Sequence, residues 1–464
     1  MDAAVLIPGI MGTRLFLPAV APETDPEEVW PPTPLETQIG YNRIDKLQDP
    51  RVITGAIIDK VLCFSFYRAV REQLATLGYT QRTLQKRLVE FPYDWRRDNF
   101  DTADSLAARL DRLHAEGATK IVLIGHSMGG IIARLLMESG KYDDRPWFGN
   151  IGLFMALATP HLGAPLALAR IFGLDSMLGI SGADFARLAA NPAFPSGYQL
   201  IPAPGELAVW NVESPDVAPL DVYDEPTSVQ LGLNPRLVAR AKAMHDVLSI
   251  GRRPAHVRYF YFAGSGHRTV TRVNVAAAAG KPVDHSQSVV TSTPDAGDGT
   301  VPMYSALPVS GQRQIVINEH ATVFEGRPFR HLFFRLMGGD DGDVLELETL
   351  DEPSPGPRVA LSLDSPVQRV DRPIELTLAV FNSAAPGDPE RVGTITGTIV
   401  VEQFSENIEG QSTTSNNIPI SYAGPSIDRL AILLPAIGKA GLYRLRFDGS
   451  PLAANAAPFA VSNV

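Results

Sequence analysis

The sequence has little cysteine, little positive charge and no long apolar run, and each shortage excludes a class of protein. Its 464 residues include one cysteine, Cys63, so an internal disulfide is excluded, and we interpret this side chain as a small core residue. Lysine and arginine number 41 against 51 aspartates and glutamates, for a formal net charge of -10. Such a balance argues against binding to nucleic acid or to an anionic membrane by charge. No uncharged stretch is long enough to span a membrane.

The remaining composition is that of a folded globular chain. Hydrophobic residues make up 45% and charged residues 20%, and the length allows one large domain and one smaller domain. No basic segment followed by a long apolar stretch precedes the first predicted strand, so the chain as given is expected to be cytoplasmic. Secretion by a leaderless route, or with a leader already removed, is left open. Any membrane contact is expected to be transient and apolar, and no metal or cofactor is predicted.

Residues 120–136 combine a strand, a glycine-rich turn and a helix. The run at 120–124, which is apolar and mostly β-branched after Lys120, is typical of a buried parallel strand, and apolar residues then recur at helical spacing. Between the two lies a G-x-S-x-G pattern, in which Gly125 and Gly129 leave room for the tight turn of a nucleophile elbow. Ser127 is therefore the predicted nucleophile, and an ordinary strand-to-helix turn is the alternative.

A catalytic serine on such a scaffold needs an acid and then a histidine later in the chain. Asp298 lies in a glycine-flanked loop, beyond a predicted strand at 258–262 and an irregular insertion, and is the predicted acid. The alternatives are a simple Asx-turn role for this residue and the rival carboxylates Asp284 and Asp295.

The predicted base is His320, which follows the last predicted strand of the domain at 314–317. From a strand end this histidine can reach a serine, take its proton and be oriented by the acid. His331 is the nearest rival, but it falls in a predicted helix, where a packed or solvated histidine is expected. The other histidines considered are His126, His267 and His285.

An oxyanion hole requires two backbone amides close to the serine. One is the amide of Met128, which follows the predicted nucleophile in the chain. The second is expected from the glycine-containing loop 8–12, directly after the apolar strand 3–7. From the residues alone, the choice within this loop lies between Ile10 and Met11.

Two insertions are predicted around the mouth of this domain. The first, at about 16–59, is proline-rich and acidic, and its Trp30 is either an acyl-chain or membrane contact or the anchor of a long loop. The second, at about 161–255, interrupts the strand pattern with apolar and small residues, as expected of a cap or lid. His161 follows a strand end, so it either borders the site or belongs to a turn.

The pattern changes after a predicted linker at 339–356. Residues 357–464 contain about seven short segments with alternating apolar residues and no helix of note, which favours an immunoglobulin-like β-sandwich. The predicted fold class is therefore an α/β domain at 1–338 followed by an all-β domain. We expect the second domain to be an accessory part, with binding of an unidentified partner as the alternative.

Five motifs follow one another between residues 3 and 338: Ile7–Gly12, Phe91–Arg96, Gly125–Gly129, Thr159–Pro165 and Gly297–Pro302. Together they resemble the lecithin:cholesterol acyltransferase family. The resemblance implies a lipase-like α/β-hydrolase with Ser127, Asp298 and His320 as triad. It also implies Ile10 and Met128 as oxyanion donors. Animal members hold a membrane-binding segment with a disulfide, and this chain, with Cys63 as its one cysteine, cannot form that disulfide. Neither lipoprotein-type activation nor cholesterol as acceptor is therefore implied.

The sequence therefore predicts a serine acyl-ester hydrolase of the lipase or phospholipase type that forms an acyl-enzyme. The large apolar insertions at the predicted mouth favour a lipid or phospholipid ester as substrate. A phospholipid:alcohol acyltransferase is the first alternative, because a triad does not determine whether water or an alcohol receives the acyl group. A surface-binding protein, with the β-sandwich as its functional part and the hydrolase domain as a scaffold, is the second.

Overall fold

The computed structural model of the chain describes residues 1–19, 25–61, 64–65, 67–83, 85–214, 217–307, 312–339, 357–363, 367–382, 385–389, 391–404, 412–449 and 457–462. Within these ranges the chain divides into two compact units. The first contains the described residues of 1–32 and 42–344, and the second contains those of 33–41 and 345–464.

Three sequence predictions are affected by these ranges or by the division into units. The predicted linker at 339–356 lies outside the described residues except for Gly339, and Cys63 also lies outside them. The predicted first insertion, at 16–59, is divided between the two units, because residues 33–41 cluster with the second one.

The described strands of the first unit are β1 (Asp2–Ile7), β2 (Thr13–Leu17), β3 (Glu27–Trp30), β4 (Ile53–Ile57), β5 (Lys60–Val61), β6 (Phe64–Ser65), β7 (Lys86–Glu90), β8 (Lys120–His126), β9 (Ile151–Leu157), β10 (Val209–Asn211), β11 (Ala218–Leu220), β12 (Arg258–Gly264), β13 (His267–Val275), β14 (Val289–Gly297) and β15 (Gln312–Val316). The described α-helices are α1 (Pro34–Ile39), α2 (Ile44–Leu47), α3 (Arg68–Thr76), α4 (Asn99–Ala115), α5 (Met128–Glu138), α6 (Pro165–Ile171), α7 (Gly182–Ala189), α8 (Glu225–Gln230), α9 (Pro235–Ser249), α10 (Met303–Ala306) and α11 (Arg327–Leu336). Short 3₁₀ helices lie at Phe148–Asn150, Pro195–Leu200, His285–Gln287 and His320–Thr322. None of the described helices combines the length and the apolar character needed to cross a membrane.

A six-stranded parallel sheet forms the centre of the first unit. Its strand order is β15-β12-β9-β8-β1-β7, and every neighbouring pair is parallel. Along β1 all residues from Ala3 to Ile7 are buried, as expected for a strand covered on both faces. Parallel neighbours need crossover connections, which here carry helices. The predicted α/β class of the first domain is confirmed.

Helices pack on both faces of this sheet. On one face, Leu74 of α3 and the α11 residues Phe329 and Phe333 share a hydrophobic cluster with Leu6 and other strand residues. Alternate strand residues point to the other face, where α5 packs against β1, β8 and β9, with α4 beside it. Each large apolar side chain buried in this way contributes about 1.5–3 kcal/mol. The sheet is therefore a rigid base for the loops at its edge.

The predicted cap contains α6 to α9 and the strands β10 and β11. The prediction of an irregular insertion after β12 is wrong, because β13 and β14 form a long antiparallel pair there. This pair extends the cap into a four-stranded sheet of order β11-β10-β13-β14. Leu168, Leu237 and Val273 belong to a hydrophobic cluster shared by the helices and strands of the cap. The cap therefore extends past the predicted boundary at 255 and includes this hairpin.

The second unit contains two β-sheets. Its described strands are β16 (Pro357–Leu363), β17 (Val367–Arg369), β18 (Ile374–Asn382), β19 (Ala385–Pro389), β20 (Val392–Phe404), β21 (Ser412–Ile427), β22 (Arg429–Leu434), β23 (Gly441–Gly449) and β24 (Ala457–Ser462). One sheet joins β18 to β16, β19 and β22, and the other has the order β17-β24-β23-β20-β21. Ile374, Leu376 and Leu378 on β18 are buried with Leu445 and Phe447 on β23. The predicted half-buried strands are confirmed.

Candidate active site

Ser127 lies in a sharp turn between β8, which ends at His126, and α5, which begins at Met128. Its backbone has φ 52° and ψ -125°, a conformation that residues other than glycine rarely adopt. Strain of this kind is typical of a nucleophile elbow at the carboxyl edge of a parallel sheet. The N-terminus of α5 points at the same place, and its dipole favours negative charge there.

Glycines allow this turn to be tight. An added methyl group at Gly125 would lie 2.6 Å from the Cα atom of Gly130, and one at Gly129 would overlap the carbonyl oxygen of Ile7. The predicted need for glycine at positions 125 and 129 is confirmed. At Gly130 a methyl group would overlap the side chain of Thr159. This third requirement is not part of the G-x-S-x-G pattern.

Gly129→Ala is expected to lower the free energy of unfolding by about 1–3 kcal/mol, because the new methyl group meets backbone at the end of β1 that cannot move freely. Gly152→Ala in β9 is the control, since a methyl group at that position meets open space. Urea unfolding of the two variants measures the difference. Equal stability of Gly129→Ala and the wild type would contradict the prediction.

Asp298 and His320 are joined by a hydrogen bond of 2.8 Å between the carboxylate Oδ2 and the imidazole Nδ1. The amide of His320 also donates to the carbonyl oxygen of Asp298 at 2.9 Å, which holds the two backbones together. The second carboxylate oxygen accepts the amides of Thr300 at 3.0 Å and Val301 at 2.7 Å. The Asx turn considered as an alternative is therefore present together with the contact to histidine.

The carboxylate of Asp298 is ionised although the residue is only 1% exposed. Burial opposes its ionisation, but the charge and hydrogen bond of His320 and the amides of Val301 and Thr300 outweigh burial and lower the pKa of Asp298. An ionised carboxylate keeps the imidazole proton on Nδ1 of His320. Nε2 is then the nitrogen that can accept a proton.

The turn that carries Asp298 returns from the cap to the edge of the central sheet. A methyl group on Gly264, at the end of β12, would lie 2.5 Å from the Cβ atom of Asp298. The rival carboxylates lie elsewhere in the insertion: Asp284 accepts the amide of Ser286 at 3.0 Å and caps a 3₁₀ helix, and Asp295 is exposed on β14.

His126 connects the elbow to the turn that contains His320. Its Nε2 atom lies 2.9 Å from the carbonyl oxygen of His320, and the two ring centroids are 4.9 Å apart. Because Ser127 is the next residue in the chain, His320 lies against the elbow. Within the described residues, Ser127 Oγ and His320 are not hydrogen-bonded, and this contact is often long in enzymes without substrate.

The loop after β1 borders the serine from the other side. A methyl group on Gly9 would lie 2.8 Å from the Cβ atom of Ser127. The amide of Gly12 donates to the carbonyl oxygen of Gly9 at 3.1 Å, which closes a turn over Ile10 and Met11. In the described part of the chain, neither of these two central amides donates to a protein group. Either the Ile10 or the Met11 amide is therefore available as an oxyanion donor. It would act beside the amide of Met128 at the start of α5, which has no partner within the helix.

Trp30 is an interior residue with 1% exposure. Its indole nitrogen donates to the carbonyl oxygen of Met11 at 2.7 Å, and its ring meets Trp95 edge to face with centroids 5.4 Å apart. Tyr93 donates to the carbonyl oxygen of Pro8 at 2.8 Å. These contacts are those of a loop anchor, and they hold the loop next to the serine. They leave no surface of Trp30 for a membrane or an acyl chain.

His161 lies in a buried polar cluster. Its Nδ1 atom is 3.3 Å from a guanidinium nitrogen of Arg134, and its ring meets Tyr261 edge to face. Burial, and then the positive charges of Arg134 and Arg253, hold the pKa of His161 well below its usual range. The amide of His161 donates to the carbonyl oxygen of Ser305 at 3.0 Å. The structure therefore places His161 in the interior and not on a substrate-facing surface.

His126 is expected to make the protein less stable in acid. Burial, and then the charge of His320, lower the pKa of His126 to about 3, whereas an unfolded chain has a histidine pKa of about 6.5. Between these values only the unfolded state binds the proton, so this group removes about 1.4 kcal/mol of stability for each unit of falling pH. Urea unfolding from about pH 6.5 to about pH 5 should show a shallower loss for His126→Gln. His331→Gln, an exposed control, should lose stability with falling pH as the wild type does. If the stability of His126→Gln falls with pH as steeply as that of the wild type and of His331→Gln, the lowered pKa of His126 is contradicted.

Two residues that support the site carry no signal in the sequence. The hydroxyl of Tyr67 lies 2.7 Å from the amide of Gly9 and 2.8 Å from Nδ1 of His126. Thr269 on β13 is fully buried, and its hydroxyl accepts the amide of Gly299 at 2.9 Å, next to the predicted acid. Both come from elements distant in the chain. No group of three or more potential metal ligands occurs within the ranges that the structure describes.

Comparisons with known proteins agree with the motifs. The family model described as lecithin:cholesterol acyltransferase matches residues 41–232. The lecithin-cholesterol acyltransferase-like 4 protein of Arabidopsis thaliana is 24% identical over 343 residues, which are 61% of this chain and 61% of the relative. A GPI inositol-deacylase of Schizosaccharomyces pombe is 42% identical over 52 residues, which are 11% of this chain and 4% of the relative. The predicted family resemblance is confirmed.

The chain spans less than two thirds of both relatives. Among solved structures, a chain of the Tle4-Tli4 complex is similar with a TM-score of 0.49 and 14% sequence identity. That similarity covers 73% of this chain and 98% of the other.

Proposed function

We propose that the chain is a serine acyl-ester hydrolase acting on lipid or phospholipid esters. The match of residues 41–232 to the family model described as lecithin:cholesterol acyltransferase supports this proposal. The observation that carries the proposal is the 2.8 Å hydrogen bond between Asp298 and His320, next to the strained turn at Ser127. Acyl transfer by a serine requires a base that a third group orients.

In the proposed mechanism, the Oγ atom of Ser127 forms a bond to the ester carbonyl carbon while Nε2 of His320 takes its proton. Asp298 stabilises the imidazolium that results. The amide of Met128, with that of Ile10, receives the negative charge on the carbonyl oxygen. Collapse breaks the bond to the leaving alcohol, which takes the proton from the imidazolium, and an acyl ester on Ser127 remains. Water, deprotonated by His320, then forms a bond to the acyl carbon. The bond from this carbon to Ser127 Oγ breaks, the serine takes the proton back from the imidazolium, and the fatty acid is released.

Exposed apolar side chains support a lipid as the substrate. Leu162 follows β9 and is 36% exposed, and Tyr304 is 45% exposed. They are neighbours, because the amide of Leu162 donates to the hydroxyl of Ser305 at 3.0 Å. The carboxyl ends of parallel strands share one edge of a sheet, so these side chains lie at the same edge as the serine. Exposed apolar side chains at that edge suit contact with a lipid or, transiently, with a membrane.

Transfer of the acyl group to an alcohol is the second candidate, and the family match favours it. The same acyl ester on Ser127 serves both reactions, and only the nucleophile of the second step differs. Adding an acceptor alcohol to a reaction with phosphatidylcholine separates them. A new ester in place of free fatty acid would identify an acyltransferase.

Three assays on the full chain test the hydrolase. We expect fatty acid release from phosphatidylcholine, hydrolysis of a short-chain nitrophenyl ester, and labelling by a serine-directed phosphonate at one residue. Ser127→Ala should abolish all three, whereas Ser228→Ala, a buried serine in α8, should keep them. Hydrolysis of the short ester alone would restrict the function to a general esterase. Labelling that survives in Ser127→Ala would refute the assignment of the nucleophile, and failure of the phosphonate to label Ser127 in the wild type would favour the surface-binding alternative.

The second unit is proposed to be an immunoglobulin-like accessory domain. In that fold, strands A, B and E lie in one sheet and strands C, F and G in the other. Here β16, β18 and β22 correspond in order to the first set, and β20, β23 and β24 to the second. Strand β17 runs parallel to β24 at the edge of the second sheet. Binding of an unidentified partner is the alternative role.

A further inference from the structure

A chain of three buried hydrogen bonds joins the loop after β1 to the turn that contains His320. The amide of Gly9 lies 2.7 Å from the hydroxyl of Tyr67, and this hydroxyl lies 2.8 Å from Nδ1 of His126. Nε2 of His126 then lies 2.9 Å from the carbonyl oxygen of His320. Tyr67 is 1% exposed and His126 is 5% exposed, so water does not compete for these bonds.

The two ends of this chain determine the direction of every bond in it. The amide of Gly9 can only donate, so the hydroxyl oxygen of Tyr67 accepts there and its single proton points to His126. The carbonyl oxygen of His320 can only accept, so Nε2 of His126 carries a proton and donates it. Nδ1 is left as the acceptor for the tyrosine. Every polar atom in the chain of bonds is therefore satisfied in one arrangement only.

We propose that Tyr67 and His126 are positioning residues for the acyl-transfer reaction. They hold the loop 8–12, which offers the proposed oxyanion donor, and the turn of the proposed base His320 at a fixed distance across the serine. The inference rests on the proposed function. It goes beyond that function, because neither residue touches the substrate or the reacting atoms. Their hydrogen bonds act on the backbone of both catalytic loops.

Packing around these bonds supports this role. Phe324, four residues after His320, stacks on Tyr67 with ring centroids 5.9 Å apart and meets the ring of His126 edge to face at 5.5 Å. Burial raises the pKa of Tyr67 and lowers that of His126, so both side chains stay neutral at the pH of ordinary enzyme assays. The directions of the hydrogen bonds therefore do not change during turnover.

Tyr67→Phe removes one hydroxyl and keeps the ring that stacks on Phe324. We expect kcat to fall about 10- to 100-fold with KM within about twofold, because loops displaced by a fraction of an ångström no longer fit the transition state. His126→Leu should have a similar effect. His126→Gln should recover most of the rate, because its amide offers an acceptor and a donor with nearly the spacing of the two ring nitrogens.

The test compares these variants of the full chain by nitrophenyl ester kinetics, with folded active sites counted by phosphonate titration. Tyr142→Phe is the matched control, since it removes a tyrosine hydroxyl that donates to Asp104 at 2.7 Å, outside the site. Its kcat should equal that of the wild type. A second readout is the ¹⁵N chemical shift of His126, located by comparison with His126→Gln, which should report a neutral ring with its proton on Nε2.

Each result supports or overturns the inference. If Tyr67→Phe loses thermal stability but matches the wild type in rate per folded site, the two residues are only structural and the inference fails. A proton on Nδ1 of His126 would also overturn it. If the wild type shows no turnover that depends on Ser127, the proposed function fails, and the positioning role fails with it. A lower kcat in Tyr67→Phe, recovered in His126→Gln relative to His126→Leu, supports it.

Discussion

Replacing His320 with alanine is expected to lower kcat for ester hydrolysis by about 10⁶-fold while the protein stays folded. The imidazole is the proposed acceptor of the Ser127 proton, and Asp298 is hydrogen-bonded to it at 2.8 Å. Without the ring the serine hydroxyl remains protonated and is a weak nucleophile. The amides of the oxyanion hole remain, so activity about 10³-fold above the uncatalysed rate should persist.

His331→Ala is the matched control for this experiment. His331 lies eleven positions further along the same chain segment, is exposed on α11 and is the rival histidine of the sequence analysis. Its replacement should leave kcat within about twofold, as expected for a surface substitution that causes only a small free-energy change. Pre-steady-state kinetics should show that His320→Ala loses the rapid acylation phase. A large loss of activity in His331→Ala, with normal activity in His320→Ala, would reverse the assignment of the base.

Arg134→Met is expected to lower the free energy of unfolding by about 3–5 kcal/mol. Arg134 on α5 donates to both carboxylate oxygens of Glu138, at 3.0 and 2.8 Å, and to the carbonyl oxygen of Leu248 at 2.9 Å. The side chain of Glu138 is fully buried and that of Arg134 nearly so. Removal of the guanidinium leaves a buried carboxylate without its partner, which costs more than the loss of the contact itself.

Lys242→Met provides the comparison, because Lys242 and Asp246 form an ion pair with the same spacing on the exposed side of α9. An exposed pair contributes about 0.2–1 kcal/mol, so this variant should be nearly as stable as the wild type. Urea unfolding gives both values. The double variant Arg134→Met with Glu138→Leu should recover stability relative to the single variant. Equal losses in Arg134→Met and Lys242→Met would contradict the buried-pair explanation.

The central sheet and the elbow could be predicted because their signals are local. Four consecutive apolar residues before Gly125 indicate a strand buried on both faces, and apolar residues at helical spacing follow it. Asp298 and His320 could also be found, since Asp298 lies in a glycine-flanked loop and His320 follows the end of a predicted strand. The structure joins them by a hydrogen bond that chain order alone could not provide.

The cap hairpin and the supporting residues could not be predicted, for two physical reasons. Gly297 is the one fully buried residue of the strand β14, which therefore has no buried apolar period to distinguish it from a loop. Tyr67 acts through tertiary contacts to residues 58 and 59 positions away in the chain. Similarly, nothing in the composition of residues 33–41 separates them from the insertion around them, although they cluster with the second unit.

The strand β14 ends at Gly297, so the polypeptide passes from the cap sheet to Asp298 without an intervening loop. Mechanically, the proposed acid is part of the cap. A cap that opened as one rigid body would move the carboxylate of Asp298 away from His320. The base would then lose the group that orients it whenever the site was open. We therefore expect the hairpin of β13 and β14 to stay fixed on the central sheet when lipid enters the site.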